Sequence, residues 1–113
     1  MNTHELHLNS ASFESIAKRR KTIECRLLDE KRKSINIGDE LVFINTYDKT
    51  QSIRALVIAL HYADTFHQLF LNESLLPKFA TTDITTLDQD VNKIYSLARQ
   101  QELSVVGIEF RLV

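Results

Sequence analysis

The sequence predicts an α+β fold in which five or six strands form a small β-barrel with flanking helices. Several segments alternate between polar and apolar residues, as half-buried strands do, whereas two stretches in the second half have the apolar spacing of helices. A further alternating segment, residues 104–113, follows those helices. It can pair back within the sheet and help to close a barrel.

The chain of 113 residues has the size of one globular domain, residues 1–113. It is 43% hydrophobic and 26% charged, and its two glycines and one proline leave no flexible linker. No apolar run is long enough to cross a bilayer, and the first residues lack the pattern of a signal peptide. We therefore expect a cytoplasmic protein without a membrane partner. The lone Cys25, which cannot form an internal disulfide, agrees with this expectation.

The first elements are a strand, a short helix and a second strand. Residues 3–9 alternate and predict a strand with one wet face, and Asn9 or Ser10 can cap a helix with Phe13, Ile16 and Ala17 on its apolar side. The second strand, residues 22–28, alternates again. Its polar set is Thr22, Glu24 and Arg26, and its apolar set is Ile23, Cys25 and Leu27.

The middle of the chain predicts a turn, a buried strand and a hairpin. A charged turn spans residues 29–34, and Gly38-Asp39 indicates a tight turn before an apolar strand at residues 41–44. That strand is apolar on both faces, so we expect it to be central. Residues 47–50 form a hairpin turn, and a long strand follows over residues 52–61.

The second half predicts two helical segments. Phe66, Leu69 and Phe70 have helical spacing, and Pro77 bounds that segment. Thr86 and Gln89 match a capping box, so we expect a helix to begin there. Its apolar stripe consists of Leu87, Val91, Ile94 and Ala98.

The net charge of −1 conceals a basic segment. Between Lys18 and Lys33 lie eight basic and three acidic residues, so this stretch carries +5 and the remainder −6. A local basic patch on an acidic body favours an anionic partner at one place. The alternative is a basic helix end followed by a solvated turn.

Within this segment, Lys21, Glu24 and Arg26 can form a site. In a strand, Glu24 and Arg26 lie on one face about 7 Å apart, with Lys21 where the strand begins. Such a group can bind a nucleotide, with Lys21 and Arg26 meeting phosphate or base acceptors and Glu24 accepting from an exocyclic amine. It can also tune the lysine toward catalysis. The alternative is an outward-facing ion pair on a solvated strand, which would contribute little.

The segment resembles the signature of ASCH domains, in which a glycine, a lysine, a glutamate and an arginine stand at fixed spacing. Lys21, Glu24 and Arg26 occupy the three charged positions, and Arg19 stands where the signature has glycine. Three further segments are similar to the family, namely residues 5–8, the turn at 38–39 and residues 105–110. The arginine implies either a different turn or an unusual backbone conformation at Arg19.

The resemblance implies a PUA-like barrel with a cleft between barrel and helices, where RNA, a nucleotide or a modified nucleoside would bind. Some small relatives are amidohydrolases that remove the acetyl group from N4-acetylcytidine with a threonine nucleophile, a lysine and a glutamate. Lys21 matches that lysine, but Glu24 stands at the threonine position. If the chain is an enzyme, Thr22, on the same face, or a water activated by Glu24 would attack, and Glu73 is the nearest match to the glutamate.

Other residues can contribute to such a cleft. Lys18, Arg19 and Arg20 would steer an anionic ligand, and Tyr47, His61 and Tyr62 stand at strand ends, where barrel mouths carry ligand groups. For each of these the alternative is an ordinary surface position. By alternation Cys25 points to the core, and Tyr95 on the last helix is better explained by packing than by base stacking.

Cofactor sites are not expected. His4 and His7 face opposite sides of their strand, so a zinc site is not expected. Phosphate loops of the Walker or Rossmann type do not occur, so we expect no cofactor. The sequence therefore predicts an RNA- or nucleotide-binding module, with an N4-acetylcytidine amidohydrolase and a protein-interaction module as alternatives.

Overall fold

The structure is a computed structural model that describes residues 1–113. Five strands and five α-helices follow one another in a mixed order. None of the helices combines the length and the apolar composition that a membrane crossing requires. The elements are β1 (Thr3–Leu8), α1 (Ser10–Ala17), β2 (Ile23–Leu27), α2 (Glu30–Lys33), β3 (Glu40–Asn45), β4 (Ser52–Ala63), α3 (Phe66–Phe70), a 3-10 helix (Leu76–Lys78), α4 (Ile84–Ile94), α5 (Leu97–Leu103) and β5 (Val105–Leu112).

The five strands form one sheet in the order β1-β3-β4-β5-β2. The pair β1–β3 is parallel and the other three pairs are antiparallel. β1 and β2 are therefore the two edges, yet a side chain of β2 reaches the backbone of β1. The sheet thus curls into a half-barrel, which confirms the predicted α+β class and small barrel.

Two apolar clusters cover the two faces of this sheet. The larger cluster joins one face of β1, β3, β4 and β5 to α1, and its members include Ile16, Phe43 and Phe110. In the smaller cluster, Val105 of β5 and Ile23 of β2 pack against α3 and the segment that follows α3. Because successive side chains of a strand point to opposite faces, β5 contributes to both clusters. Helices α3 and α4 therefore lie on the face of β2 and β5 away from the larger core.

The turn before β3 ties the start of the chain to the sheet. Gly38 adopts a left-handed backbone with φ +93°, as the predicted tight turn requires. The buried carboxylate of Asp39 accepts hydrogen bonds from the backbone N–H groups of Asn2 and Asn36 and contacts His4 Nε2 at 2.8 Å. These partners, first among them His4, lower the pKa of Asp39 to about 2.

The backbone at the end of α1 shows how the chain accommodates Arg19 at the position where the ASCH signature has glycine. Arg19 has φ +61°, so it adopts the left-handed conformation that glycine would adopt without strain. The N–H of Arg19 donates to the carbonyl of Ile16, and the N–H of Arg20 donates to that of Ser15. This pair of bonds is a Schellman motif. Of the two alternatives, the unusual backbone conformation at Arg19 is the observed one.

Three local expectations were wrong. α4 begins at Ile84 because the Asp83 carboxylate accepts from the N–H groups of Thr85 and Thr86, so the predicted capping box at Thr86 is not the cap. The charged turn contains a short helix, α2, capped by Asp29. Three residues expected on apolar helix stripes, Ala17, Ile94 and Ala98, are exposed, and Ala98 belongs to α5 rather than to the same helix as Ile94.

Candidate functional site

The candidate site lies at the gap between the two edge strands of the sheet. Neither β1 nor β2 has a strand partner on its outer side. Arg26 of β2 crosses the gap, and its Nη2 donates to the carbonyl oxygen of His7 in β1 at 2.9 Å. The guanidinium thus satisfies a backbone acceptor of an open sheet edge.

Glu24 lies between two cations. Its Oε1 is 2.7 Å from Lys21 Nζ, and its Oε2 accepts from Arg26 Nε at 3.1 Å and from Arg26 Nη2 at 2.9 Å. Glu24 is only 5% exposed, and the side chains of Lys21 and Arg26 are 16% and 14% exposed. The group therefore differs from an outward-facing surface pair, and we refer to these three residues as the charged cluster.

The register of β2 explains why its polar face is buried. Glu24 pairs with Ile108 and Arg26 with Val106 of β5, both members of the larger core. Paired residues of neighbouring strands point to the same face of a sheet, so the charged cluster lies on the concave side, at the rim of the barrel interior. The alternation of β2 was predicted, but the burial of its polar face was not.

Lys21 and Glu24 each favour the charged form of the other. Burial by itself would lower the pKa of Lys21, but the Glu24 carboxylate outweighs it and raises that pKa. Burial would likewise raise the pKa of Glu24, but Lys21 and then Arg26 outweigh it and lower that pKa. With two cations and one anion, the cluster keeps a net positive charge in a poorly hydrated place.

A cleft of about 790 Å³ opens beside the charged cluster. One part of its lining, which we call the polar wall, comes from β1, α1 and β2. The other part, the apolar wall, comes mainly from α3 and α4. The polar wall includes His7, Ser12, Ser15, Lys21, Glu24 and Arg26, and the apolar wall consists of Phe70, Phe79, Leu87, Val91, Ile94 and Tyr95.

The apolar wall is the part of the site that the sequence did not reveal. No residue of α4 is fully buried, although the helix has a clear apolar side. Tyr95, expected to pack in the core, is half-buried, lies against Phe66 with ring centroids 5.4 Å apart, and also lines the cleft. The apolar side of a helix can face either the core or an open cleft, and the sequence pattern is the same in both cases. Only the incomplete burial of α4 in the structure shows that its apolar side lines a cleft.

Several residues singled out by the sequence do not line the cleft. Among the predicted ligand-binding residues, only the charged cluster does so. Tyr47 and Tyr62 are 80% and 60% exposed. Also outside the lining are Lys18, Arg19, Arg20, Thr22, His61 and Glu73.

His61 belongs to a second charged group, on the other face of the sheet. Its Nε2 is 2.8 Å from Glu109 Oε1, and Lys78 Nζ is 2.8 Å from Glu109 Oε2. Burial would raise the pKa of Glu109, but the bonds from Lys78 and His61 outweigh it and lower that pKa. This group has the same pattern, a carboxylate between two basic side chains, but does not line the cleft described above, so it offers matched controls for the charged cluster.

Of the groups that the amidohydrolase alternative requires, Lys21 and Glu24 line the cleft but Thr22 and Glu73 do not. The backbone of Thr22 bonds to Lys78 and Phe110, and its side chain is not part of the lining. Glu73 is exposed and also lies outside the cleft. Since Glu24 holds Lys21 in its protonated form, that lysine has no free lone pair with which to act as a base.

The cleft residues offer neither a reactive thiol nor a metal-binding cluster. Cys25 lines the cleft, but burial raises the pKa of its thiol to about 12, so the thiol stays protonated and is a poor nucleophile. No cluster of three or more His, Cys, Asp or Glu side chains has the geometry to hold a metal ion. The site therefore offers hydrogen-bond donors, a positive charge and an apolar surface.

Comparison with solved structures gives the fold. The hypothetical protein PH0355 matches with a TM-score of 0.83 at 24% identity, over 98% of this chain and 99% of that one. PF0455 from Pyrococcus furiosus matches with a TM-score of 0.75 at 27% identity, over 98% and 97%. ASCH from Zymomonas mobilis matches with a TM-score of 0.65 at 12% identity, over 95% of this chain and 65% of that one. No protein-family model and no curated protein matches the sequence.

Proposed function

We propose that this chain, which has the fold of an ASCH domain, binds a single-stranded RNA segment, a nucleotide or a modified nucleoside in the cleft beside the charged cluster. One observation carries the proposal. A single cleft combines a polar wall of net positive charge with an apolar wall that contains aromatic rings. Nucleotides present the complementary combination of an anionic backbone and flat, largely apolar base faces.

The polar wall supports recognition of a nucleotide. Arginine and lysine are the side chains that most often contact phosphate and base acceptors, and both are fixed here by the same carboxylate. Fixed donors lose little conformational entropy when a ligand binds. The cluster is poorly hydrated and keeps an excess positive charge, so it is well suited to hold one anionic group of a ligand.

The apolar wall supports insertion of a base. Leu87, Val91 and Tyr95 of the α4 region remain only partly buried, so a ligand in the cleft would complete their removal from water. Aromatic side chains at such a surface stack on bases with little preference for sequence. The cleft volume of about 790 Å³ lies within the range of small-molecule and cofactor sites.

The exposed basic residues before β2 support electrostatic steering of RNA toward the cleft. Arg19 and Arg20 are exposed and form no ion pair, whereas Lys18 pairs with Glu14. They directly precede Lys21, which is part of the polar wall. Positive charge next to a cleft raises the association rate of an anion without a lasting contact.

The experiment that tests the proposal is a titration of short, fluorescently labelled single-stranded RNA, followed by anisotropy over a series of salt concentrations. We expect affinity to fall as salt rises, and to fall about tenfold in Lys21→Gln and in Arg26→Gln. Lys78→Gln is the matched control for Lys21, because Lys78 also pairs with a shielded carboxylate but lies outside the cleft. RNA affinity that is the same in all these variants would rule the proposal out.

A further inference from the structure

The hydrogen-bonding capacity of Glu24 is almost fully used within the protein. Lys21 occupies Oε1, and the Nε and Nη2 groups of Arg26 both donate to Oε2. A carboxylate offers about four acceptor positions in total. The single remaining position lies on a residue that is 5% exposed. Glu24 therefore has little capacity left to accept a hydrogen bond from an amino group of a ligand.

The two cations, by contrast, retain unused donors. Lys21 Nζ contacts only Glu24, which leaves two of its three hydrogens without a protein partner. Arg26 uses Nε and Nη2 for Glu24 and His7, and its Nη1 makes no hydrogen bond within the protein. Both side chains line the cleft. What the charged cluster offers to a ligand is thus a set of donors.

The charge of the cluster indicates which acceptor it would hold. Two cations and one anion leave an excess positive charge among side chains that are less than one fifth exposed. Charge of this kind is stabilised by a hydrogen-bonded anion, and charge-assisted bonds to phosphate oxygens are among the strongest that Arg and Lys form. A neutral amine would meet mainly donors at the cluster and would gain little from it.

We infer that the charged cluster holds an anionic phosphate oxygen of the bound nucleotide through Lys21 Nζ and Arg26 Nη1, and that Glu24 is a positioning residue without a ligand contact. The inference rests on the proposed function and narrows it, since it assigns the phosphate to the polar wall and leaves the base for the apolar wall. It also revises the role that the sequence suggested for Glu24, which was to accept a hydrogen bond from an exocyclic amine.

The experiment compares uridine, cytidine and uridine 5′-monophosphate by isothermal titration calorimetry at low salt, with NMR chemical-shift mapping to locate each ligand. We expect the monophosphate to bind about tenfold or more tightly than uridine. That gain should be lost in Lys21→Gln and kept in the matched control Lys78→Gln. Equal binding of uridine and its monophosphate within the cleft would overturn the inference and leave the proposed function intact.

The role of Glu24 has its own readout. Uridine lacks the exocyclic amine of cytidine. If Glu24 contacted that amine, cytidine would bind more tightly than uridine, so the ratio of the two affinities detects the contact. We expect a ratio near one in the wild type and in Glu24→Gln, while Glu24→Gln weakens binding of the monophosphate because the amide NH₂ faces another donor. The matched control Glu109→Gln, at a carboxylate with two partners outside the cleft, should leave all affinities unchanged.

Each remaining outcome is decisive. A preference for cytidine that disappears in Glu24→Gln would show that Glu24 contacts an amine and would overturn the inference. Unchanged or tighter binding of the monophosphate in Glu24→Gln would overturn the positioning role. If neither the nucleosides nor the monophosphate nor RNA binds in the cleft, the proposed function itself fails and the inference fails with it.

Discussion

Arg26 Nη2 donates to the carbonyl oxygen of His7 at 2.9 Å, and this bond joins β2 to β1 across the gap between the two sheet edges. The same guanidinium holds Glu24 through two further bonds. One side chain therefore closes the half-barrel and also organises the polar wall of the cleft. Changes at Arg26 should affect both stability and binding, and the two effects can be measured separately.

Replacing Arg26 with alanine should destabilise the protein by about 3 kcal/mol, because it leaves Glu24 buried with one partner fewer and frees the carbonyl of His7. Urea unfolding gives the free energy of unfolding. Hydrogen exchange should be faster in β1, the strand that loses its lateral contact, than in the central β4. As a control, Arg99→Ala removes a guanidinium from an exposed pair with Glu102 and should change stability by less than about 0.5 kcal/mol. A destabilisation below about 0.5 kcal/mol for Arg26→Ala would contradict the structural role of the bond from Arg26 to His7.

Arg19→Gly should stabilise the protein by about 1 kcal/mol. Arg19 has φ +61° in the Schellman motif at the end of α1. This left-handed conformation is unfavourable by about 1 kcal/mol for a residue with a Cβ atom, and glycine adopts it without that strain. Thermal or urea unfolding measures the difference. Arg20→Gly is the comparison, because Arg20 has no positive φ and a glycine there only increases the freedom of the unfolded chain. Equal effects of the two changes would contradict the backbone explanation.

Asp39 should make stability depend on pH in the acid range. Its pKa is lowered from 3.8 to about 2, so its contribution is fully present above pH 3.8 and is lost as the pH falls toward 2. Asp39→Asn should therefore be less stable than the wild type near neutral pH, and the two curves should converge as the pH falls toward 2. Free energies of unfolding across that range are the measurement. Asp88→Asn, in an exposed pair with His67, should follow the wild-type curve.

Tyr95→Leu should weaken RNA binding about tenfold, because a stacking surface in the apolar wall is lost. Its effect on stability should be smaller than that of a core aromatic, since Tyr95 is only half-buried. Tyr62→Leu tests the alternative that the strand-end tyrosine binds the ligand. Tyr62 lies outside the cleft, so its replacement should leave RNA affinity unchanged. The opposite ranking of the two variants would place the ligand elsewhere.

The strands were predictable to within a few residues, because each has at least one face in contact with an apolar cluster. The alternation of Leu6 and Leu8 in β1, and of Ile108 and Phe110 in β5, follows from burial of one face, and all four residues are buried. The helix starts were less predictable. Asp83 caps α4 although Thr86 and Gln89 fit a capping box, because local sequence often offers two competing caps and tertiary packing selects one.

The candidate site was predictable in its residue types but not in its surroundings. The spacing of Lys21, Glu24 and Arg26 placed them together, and both cations contact Glu24. The strand-end candidates Tyr47 and Tyr62 are exposed, and His61 pairs with Glu109 on the other face of the sheet. Which strand ends meet a cleft depends on where the helices pack, and no short segment of sequence contains that information.

By itself, the sequence determined the alternation of β2 and hence that Glu24 and Arg26 share one face with Lys21 beside them, because side-chain direction in a strand is a local property of the backbone. Only the tertiary structure decided that this face is buried. Pairing of β2 with β5 turns it toward the core, and curling of the sheet brings His7 within reach of Arg26. Burial and the approach of distant strands depend on contacts between residues far apart in the chain, so the charge state and free donors of the cluster emerge only in the folded protein.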